Sequence, residues 1–290
     1  MSSFTYQTAF SRNIGWVTAA EQAQLRGKTV AIAGMGGVGG VHLLTLARLG
    51  IGGFHIADFD TFDLVNFNRQ AGAAMSTLGR AKVEVMAAQA LDINPELNIR
   101  IFEQGVTAGN QADFLRGIDL YVDGLDFFAF TAREALFAAC ATQRVPAVTA
   151  APLGMGTAVL NFLPGGMTFE EYFQLAGLGE MEKALRFLIG LSPAMLQRGY
   201  IADPGKVDLE QHRGPSTIMA CQLCAGVAAT EVLKILLSRG TLRGAPHGLQ
   251  FDAFTQRLAH TWRPWGNRNP LQRLTLAVAR RQLAKMKRDS

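Results

Sequence analysis

Apolar positions along this chain fall into short continuous runs, separated by longer amphipathic stretches, and glycines mark most of the changeovers. Lys28-Thr-Val-Ala-Ile-Ala33 is β-branched and apolar, the pattern of a strand covered on both faces. Gly34-Met-Gly-Gly-Val-Gly-Gly40 follows it, and then an apolar helical stretch over residues 41–49. Residues 53–57 read as a second strand ending at Asp58, and residues 98–102 as a third, after a helix over 81–92. A fourth strand over 120–122 ends at Asp123, and a fifth over 147–150 follows a helix over 132–143. Strands alternating with helices of ~10–15 residues predict an α/β fold. The expected architecture is doubly wound and Rossmann-like, a mainly parallel sheet with helices on both faces.

The second half reads differently. Residues 157–163 give one further strand, and from 164 to 215 the pattern weakens into short helical pieces and Gly-rich turns. A lid, a substrate loop and a dimerisation insert are all open readings of that segment. Residues 216–237 form a long apolar helical pattern with Glu231 and Lys234 on its wetter side. Residues 248–252 and 256–261 look like a terminal hairpin, so a C-terminal extension of mixed strands and helices is expected. Over 269–288, Leu271, Leu274 and Val278 share one helical face, while Leu276 and Leu283 lie off it.

Composition narrows the class. With 290 residues, 49% hydrophobic and 18% charged, the chain seeks too much burial to be disordered, and its length suits one or two domains. The net charge of +5 is unevenly placed. Arg263, Arg268, Arg273, Arg280, Arg281, Lys285, Lys287 and Arg288 crowd the C-terminal end with no acidic residue among them. The basic character therefore belongs to a tail. Residues 1–13 lack a basic region followed by an apolar core, and the apolar stretch 147–163 is broken by Pro152, Gly154, Gly156 and Asn161. A cytoplasmic protein without a membrane partner is expected. Its three cysteines, Cys140, Cys221 and Cys224, fit a reducing compartment.

The candidate chemistry begins at Gly34-x-Gly36-Gly37-x-Gly39, set between a strand and a helix. Glycines there let backbone approach a phosphate, and a helix start offers free N–H groups. Asp58, ending the second strand, suits the hydroxyls of a ribose. To this point an NAD-dependent oxidoreductase and an ATP-using enzyme are equally served.

The next stretch separates them. Asp58-Phe-Asp-Thr-Phe-Asp-Leu-Val-Asn66-Phe-Asn-Arg69-Gln70, then Gly79-Arg-Ala-Lys82, then Asp123-Gly-Leu-Asp126, resembles the ThiF/MoeB/HesA superfamily, bacterial relatives of ubiquitin-activating enzymes. The resemblance covers roughly residues 8–165 and implies adenylation, in which a carboxylate attacks the α-phosphorus of ATP. It implies that Arg69 and Lys82 hold the triphosphate, that Asn66 orients it, that Asp58 holds the ribose and that Asp126 binds Mg²⁺. Arg12 falls where the family places an arginine that reaches the phosphates of a neighbouring protomer, which implies a homodimer. The carboxylate implied is the C-terminal glycine of a small ubiquitin-like or sulfur-carrier protein. The alternative within the superfamily is a tRNA-modifying dehydratase, to which the basic tail lends some support. On this reading residues 1–163 are an ATP-binding adenylation domain and 164–215 a variable loop region. Residues 216–262 complete the sheet and core helix, and 263–290 are a basic, helical tail.

Cys221-Gln-Leu-Cys224 lacks the second Cys-x-x-Cys pair that structural zinc in such proteins uses, and it sits in an apolar helical pattern. Core packing is expected for both sulfurs and for Cys140, so neither zinc nor transthiolation is expected. Of the histidines, His212 alone lies where it could touch substrate.

Overall fold

A computed structural model describes residues 4–289 except 209, 210 and 213, and leaves aside the side chains of 284–289. Lys285, Met286, Lys287 and Arg288 of the basic tail thus lie outside the described side chains. Two short N-terminal elements lead in: helix α1 (Tyr6–Ala9) and helix α2 (Ala19–Arg26), the latter capped by Thr18 and Glu21 in a reciprocal box. Strand β1 (Thr29–Ala33), helix α3 (Gly39–Leu49) and strand β2 (Gly53–Ala57) make the first turn of the sheet. Helix α4 (Lys82–Ile93), strand β3 (Asn98–Phe102), helix α5 (Gln111–Phe114) and strand β4 (Leu120–Asp123) follow. Helix α6 (Phe130–Gln143) leads to strand β5 (Ala147–Leu153), which turns directly into strand β6 (Gly156–Phe162). Helices α7 (Phe169–Phe173), α8 (Glu180–Leu191) and α9 (Ile218–Leu236) precede strands β7 (His247–Asp252) and β8 (Arg257–Trp262), and helix α10 (Pro270–Asp289) ends the chain.

All eight strands join one sheet in the order β3-β2-β1-β4-β5-β6-β7-β8. The first five run parallel, and β6, β7 and β8 are each antiparallel to the strand before them in that order. Order reverses between β1 and β4, so the crevice for a ligand opens at the carboxyl ends of those two strands. One face of the sheet is covered by α3, α4 and α9, with Leu43, Leu46, Met86, Ala90, Ala228 and Val232 fully enclosed. An aromatic layer covers the other, where Tyr121, Phe130, Phe137, Phe162, Tyr172, Phe173 and Phe187 pack together.

The sequence-based boundaries hold to within a few residues, with two informative differences. The fifth strand runs on to Leu153 through Pro152, because Pro152 pairs opposite Thr157 near the end of a tight hairpin. In α10 the solvent takes the face that the leucine count marks as apolar: Leu271, Leu274 and Val278 are 60%, 63% and 41% exposed. The buried stripe is Leu276, Ala279 and Leu283, packed on Leu185 and Ile189 of α8, with Gln272 donating to the Ile189 carbonyl. Helix α9 is apolar and long enough to cross a bilayer by composition alone, yet it lies against β5, β6 and α3.

Candidate nucleotide-binding site

Strand β1 delivers the chain to the Gly-rich loop. Gly34 turns it with φ +88°, and its amide donates to the Ala57 carbonyl at 2.7 Å. A Cβ on Gly34 would strike the carbonyl of Gly124, and one on Gly39 would strike the carbonyl of Gly34. A Cβ on Gly124 would in turn come within 2.8 Å of both Gly34 O and the Gly39 Cα. Backbone thus touches backbone at three points, which only glycine permits. Gly124 is a member of this set that the motif spacing alone did not mark as a binding element.

The loop leads into α3, whose start is open. Among the described residues the amides of Gly36, Gly37, Val38 and Gly39 donate to no protein acceptor. Four unpaired amides running through the turn into the positive end of an eleven-residue helix make a cradle for a phosphate. Asp58 braces it: one carboxylate oxygen accepts from the Met35 amide at 2.6 Å, the other from the Asp60 amide at 2.8 Å.

The Asn66–Gln70 turn packs on the same loop. The Arg69 stem passes 3.5 Å from where a Gly37 Cβ would be, and Gln70 Nε2 passes 3.7 Å from that of Gly36. The Arg69 guanidinium donates to Val65 O and Asn68 Oδ1 and is partly exposed above the loop. Asn66 is buried, and its Oδ1 accepts from the Asp63 amide at 2.9 Å. Its carbonyl-side contact therefore shapes the turn that carries Arg69. Lys82, the first residue of α4, is buried to 6% exposure, and its Nζ pairs with Asp60 Oδ2 at 3.0 Å. Asp60 is the partner that sequence reasoning missed; its alternation with Asp58 was the available signal.

Of the two aspartates in Asp123-Gly-Leu-Asp126, they part company. Asp123 is buried against Arg133 Nε at 2.8 Å and Thr149 Oγ1 at 2.9 Å. Asp126 is exposed, with Oδ1 accepting from the Phe128 amide at 3.0 Å. The other Asp126 oxygen, two residues past the Gly124 that abuts the loop, suits Mg²⁺, which takes one or two carboxylates together with substrate phosphates.

The structure does not bring Arg12 to this site. Asn13 donates to the carbonyl of Leu49, so Arg12 stands at the far end of α3, about 15 Å along the helix from the loop. His212 stacks on Phe128 with ring centroids 4.4 Å apart, near Asp126. Cys221 is buried 3.3 Å from the Gly37 Cβ position, and Cys224 donates to Thr157 Oγ1. Burial pushes the Cys140 thiol up to about 12 and raises Cys221 and Cys224 as well, so all three are core thiols.

The sequence profile of the ThiF family matches residues 10–274. The chain belongs to the ThiF family. Among curated relatives it is 35% identical over 159 residues to a tRNA threonylcarbamoyladenosine dehydratase of Haemophilus influenzae. That match takes in 54% of this chain and 56% of the relative, so the chain spans about half the length of the curated relatives it matches. It is 29% identical over 143 residues to the sulfur carrier protein ThiS adenylyltransferase of Escherichia coli, covering 49% of this chain and 56% of that one. Its fold matches the crystal structure of PaaA with a TM-score of 0.67 at 18% identity, over 90% of this chain and 76% of the other. It also matches Escherichia coli MccB solved with ATP, at a TM-score of 0.63 and 17% identity, over 83% and 65% of the two chains. The Rossmann-type architecture read from the sequence is thus that of the ThiF family.

Proposed function

We propose that this member of the ThiF family is an ATP-dependent adenylyltransferase. A carboxylate oxygen attacks the α-phosphorus of ATP, the bond from that phosphorus to the bridging oxygen breaks, and acyl-adenylate and pyrophosphate result. The observation that carries the reading is the set of four unpaired amides at Gly36–Gly39 with the Arg69 stem against Gly37. Phosphoryl chemistry of this kind depends on positioning and charge neutralisation. The amides and Arg69 hold the phosphates, Lys82 offsets charge on the phosphoryl oxygens, and Asp58 orients the ribose. Asp126 would hold Mg²⁺, which when bound neutralises triphosphate charge. Titration calorimetry is expected to show binding of ATP with Mg²⁺ and none of NAD(H). Tight NAD(H) binding without ATP binding would put an oxidoreductase in its place.

Two carboxylates are in view. The C-terminal glycine of a ubiquitin-like sulfur carrier has the support of likeness to the ThiS adenylyltransferase. A carboxylate borne on a tRNA base has the support of 35% identity to tRNA dehydratases of Haemophilus influenzae and Escherichia coli, and 33% to that of Bacillus subtilis. The higher identities favour the second. ATP–pyrophosphate exchange stimulated by tRNA, and unaffected by carrier protein, is the expected result.

The reading includes a homodimer. An apolar furrow of about 750 Å³ runs along the outer face of α9, between Met219, Leu223 and Val227 of the helix and Leu249 of β7. At the far end of α9, Arg239 holds the carbonyl of Trp16, beside Arg12. Two copies paired antiparallel along α9 would set each Arg12 toward the other's Gly-rich loop. Mixing Arg12→Ala chains with Lys82→Ala chains is expected to restore activity that neither has alone, since mixed dimers keep one intact site. A monomer in light scattering at micromolar concentration, or no recovery on mixing, would remove Arg12 from the mechanism.

A further inference from the structure

The edge of the molecule opposite β3 carries a feature that nucleotide binding does not use. A groove of about 630 Å³ lies between α8 and α10, and Arg186, Arg268, Arg273 and Arg280 line it. Arg186 and Arg280 share one carboxylate, Glu182. Arg268 and Arg273 are exposed and have no partner among the described residues. The groove therefore holds four cations against one anion, and no acidic residue occurs between Asp252 and Asp289 to offset them. Asn267, 3% exposed, fixes the floor by donating to the carbonyls of Phe173 and Arg186.

Beside the groove the chain also carries an exposed aromatic residue. Trp265 has φ +64°, a left-handed conformation that is uncommon for a bulky side chain. Its side chain is 65% exposed. The Trp265 carbonyl accepts from Gln174, a residue of the groove, and Trp265 is two residues before Asn267 in its lining, so its backbone borders the groove. Trp262, at the end of the edge strand β8, is 60% exposed.

We infer that this groove and its rim dock RNA. The unpaired guanidiniums of Arg268 and Arg273 bind backbone phosphates, whose fork geometry they match. Trp265 stacks an unpaired base, the way single-stranded loops are held by proteins. Charge alone would serve an acidic protein equally. The exposed Trp265, with Trp262 beyond it, favours a partner with flat π-faces to offer. The inference rests on the reading in which the activated carboxylate is carried on RNA, and it names the surface of this chain that would hold that substrate.

The test is fluorescence anisotropy of the full chain with a fluorescein-labelled tRNA transcript across a salt series. Binding is expected to fall with log salt at a slope of about −2 to −3, as for two or three phosphates neutralised. Arg268→Gln and Arg273→Gln should each reduce that slope by about one. Trp265→Ala should weaken binding roughly 5- to 100-fold at every salt concentration while leaving the slope alone. Arg100→Gln, on the opposite sheet edge, should change nothing. Circular dichroism and binding of a fluorescent ATP analogue, unchanged in all four variants, keep the fold and the nucleotide site out of the comparison. Affinity for tRNA indifferent to Arg268, Arg273 and Trp265 would overturn the inference. So would poly-glutamate competing with tRNA at matched charge and depending on the same arginines without Trp265. Loss of ATP binding with tRNA binding intact would count against the proposed activity and leave this surface standing.

Discussion

Lys82→Ala is expected to leave the protein folded while lowering ATP–pyrophosphate exchange about 10²–10³-fold, the usual effect of removing one donor aimed at developing charge. The dissociation of function from stability follows from the ion pair. Lys82 is nearly enclosed, but its partner Asp60 keeps a side chain 53% exposed, and water solvates that carboxylate once the ammonium is gone. The electrostatic part of the stability change should therefore stay at about 1 kcal/mol or less, and loss of the enclosed stem adds to it. Exchange with labelled pyrophosphate and a thermal melt on the same preparation read the two effects. A variant that melts several degrees lower with normal exchange would make Lys82 a structural residue.

Arg133→Met should do the reverse. Its guanidinium and the Asp123 carboxylate have side chains 2% and 3% exposed. The same guanidinium donates to the carbonyls of Leu125, Asp126 and Phe127 and lies over the Phe187 ring at 4.6 Å. Removing it strands a buried carboxylate and three carbonyls, at about 3–5 kcal/mol. For a chain of this size that corresponds to a melting temperature lower by about 5–8 °C. Combining it with Asp123→Asn should recover part of the loss, because the stranded charge is then gone. A melting change under 2 °C would show that the turn before α6 is held by something else.

The contrast between these two residues marks what a sequence can disclose. The positions of the Gly-rich turn, Asp58, Arg69 and Lys82 are legible because each is local: a tight turn after a strand, an acid ending the next one, a lysine opening a helix. Asp123 and Asp126 were not separable, since a three-residue spacing does not say which carboxylate meets an arginine ten positions on. Arg133 itself reads as one more charge in a helical pattern. Pro152 and Gly154 look like breakers, and only the antiparallel partner β6 makes a strand of residues 151–153. In α10 the pattern of leucines misled because the buried stripe uses Gln272 and Ala279, residues that a count of large apolar side chains passes over.

The place of β6 in the sheet has a consequence for how the protein is made. All seven of its residues are buried in the finished fold, between β5 and β7. Yet 84 residues, 163–246, must be synthesised after β6 before β7 begins to exist. At ribosomal rates of about 5–20 residues per second, β6 waits roughly 4–17 s with one edge unpaired. During that interval Thr157-Ala-Val-Leu-Asn-Phe162 is an apolar strand open to any passing chain. Yield in the cell should therefore depend on what shelters that edge during translation, a demand that the stability of the completed protein does not reveal.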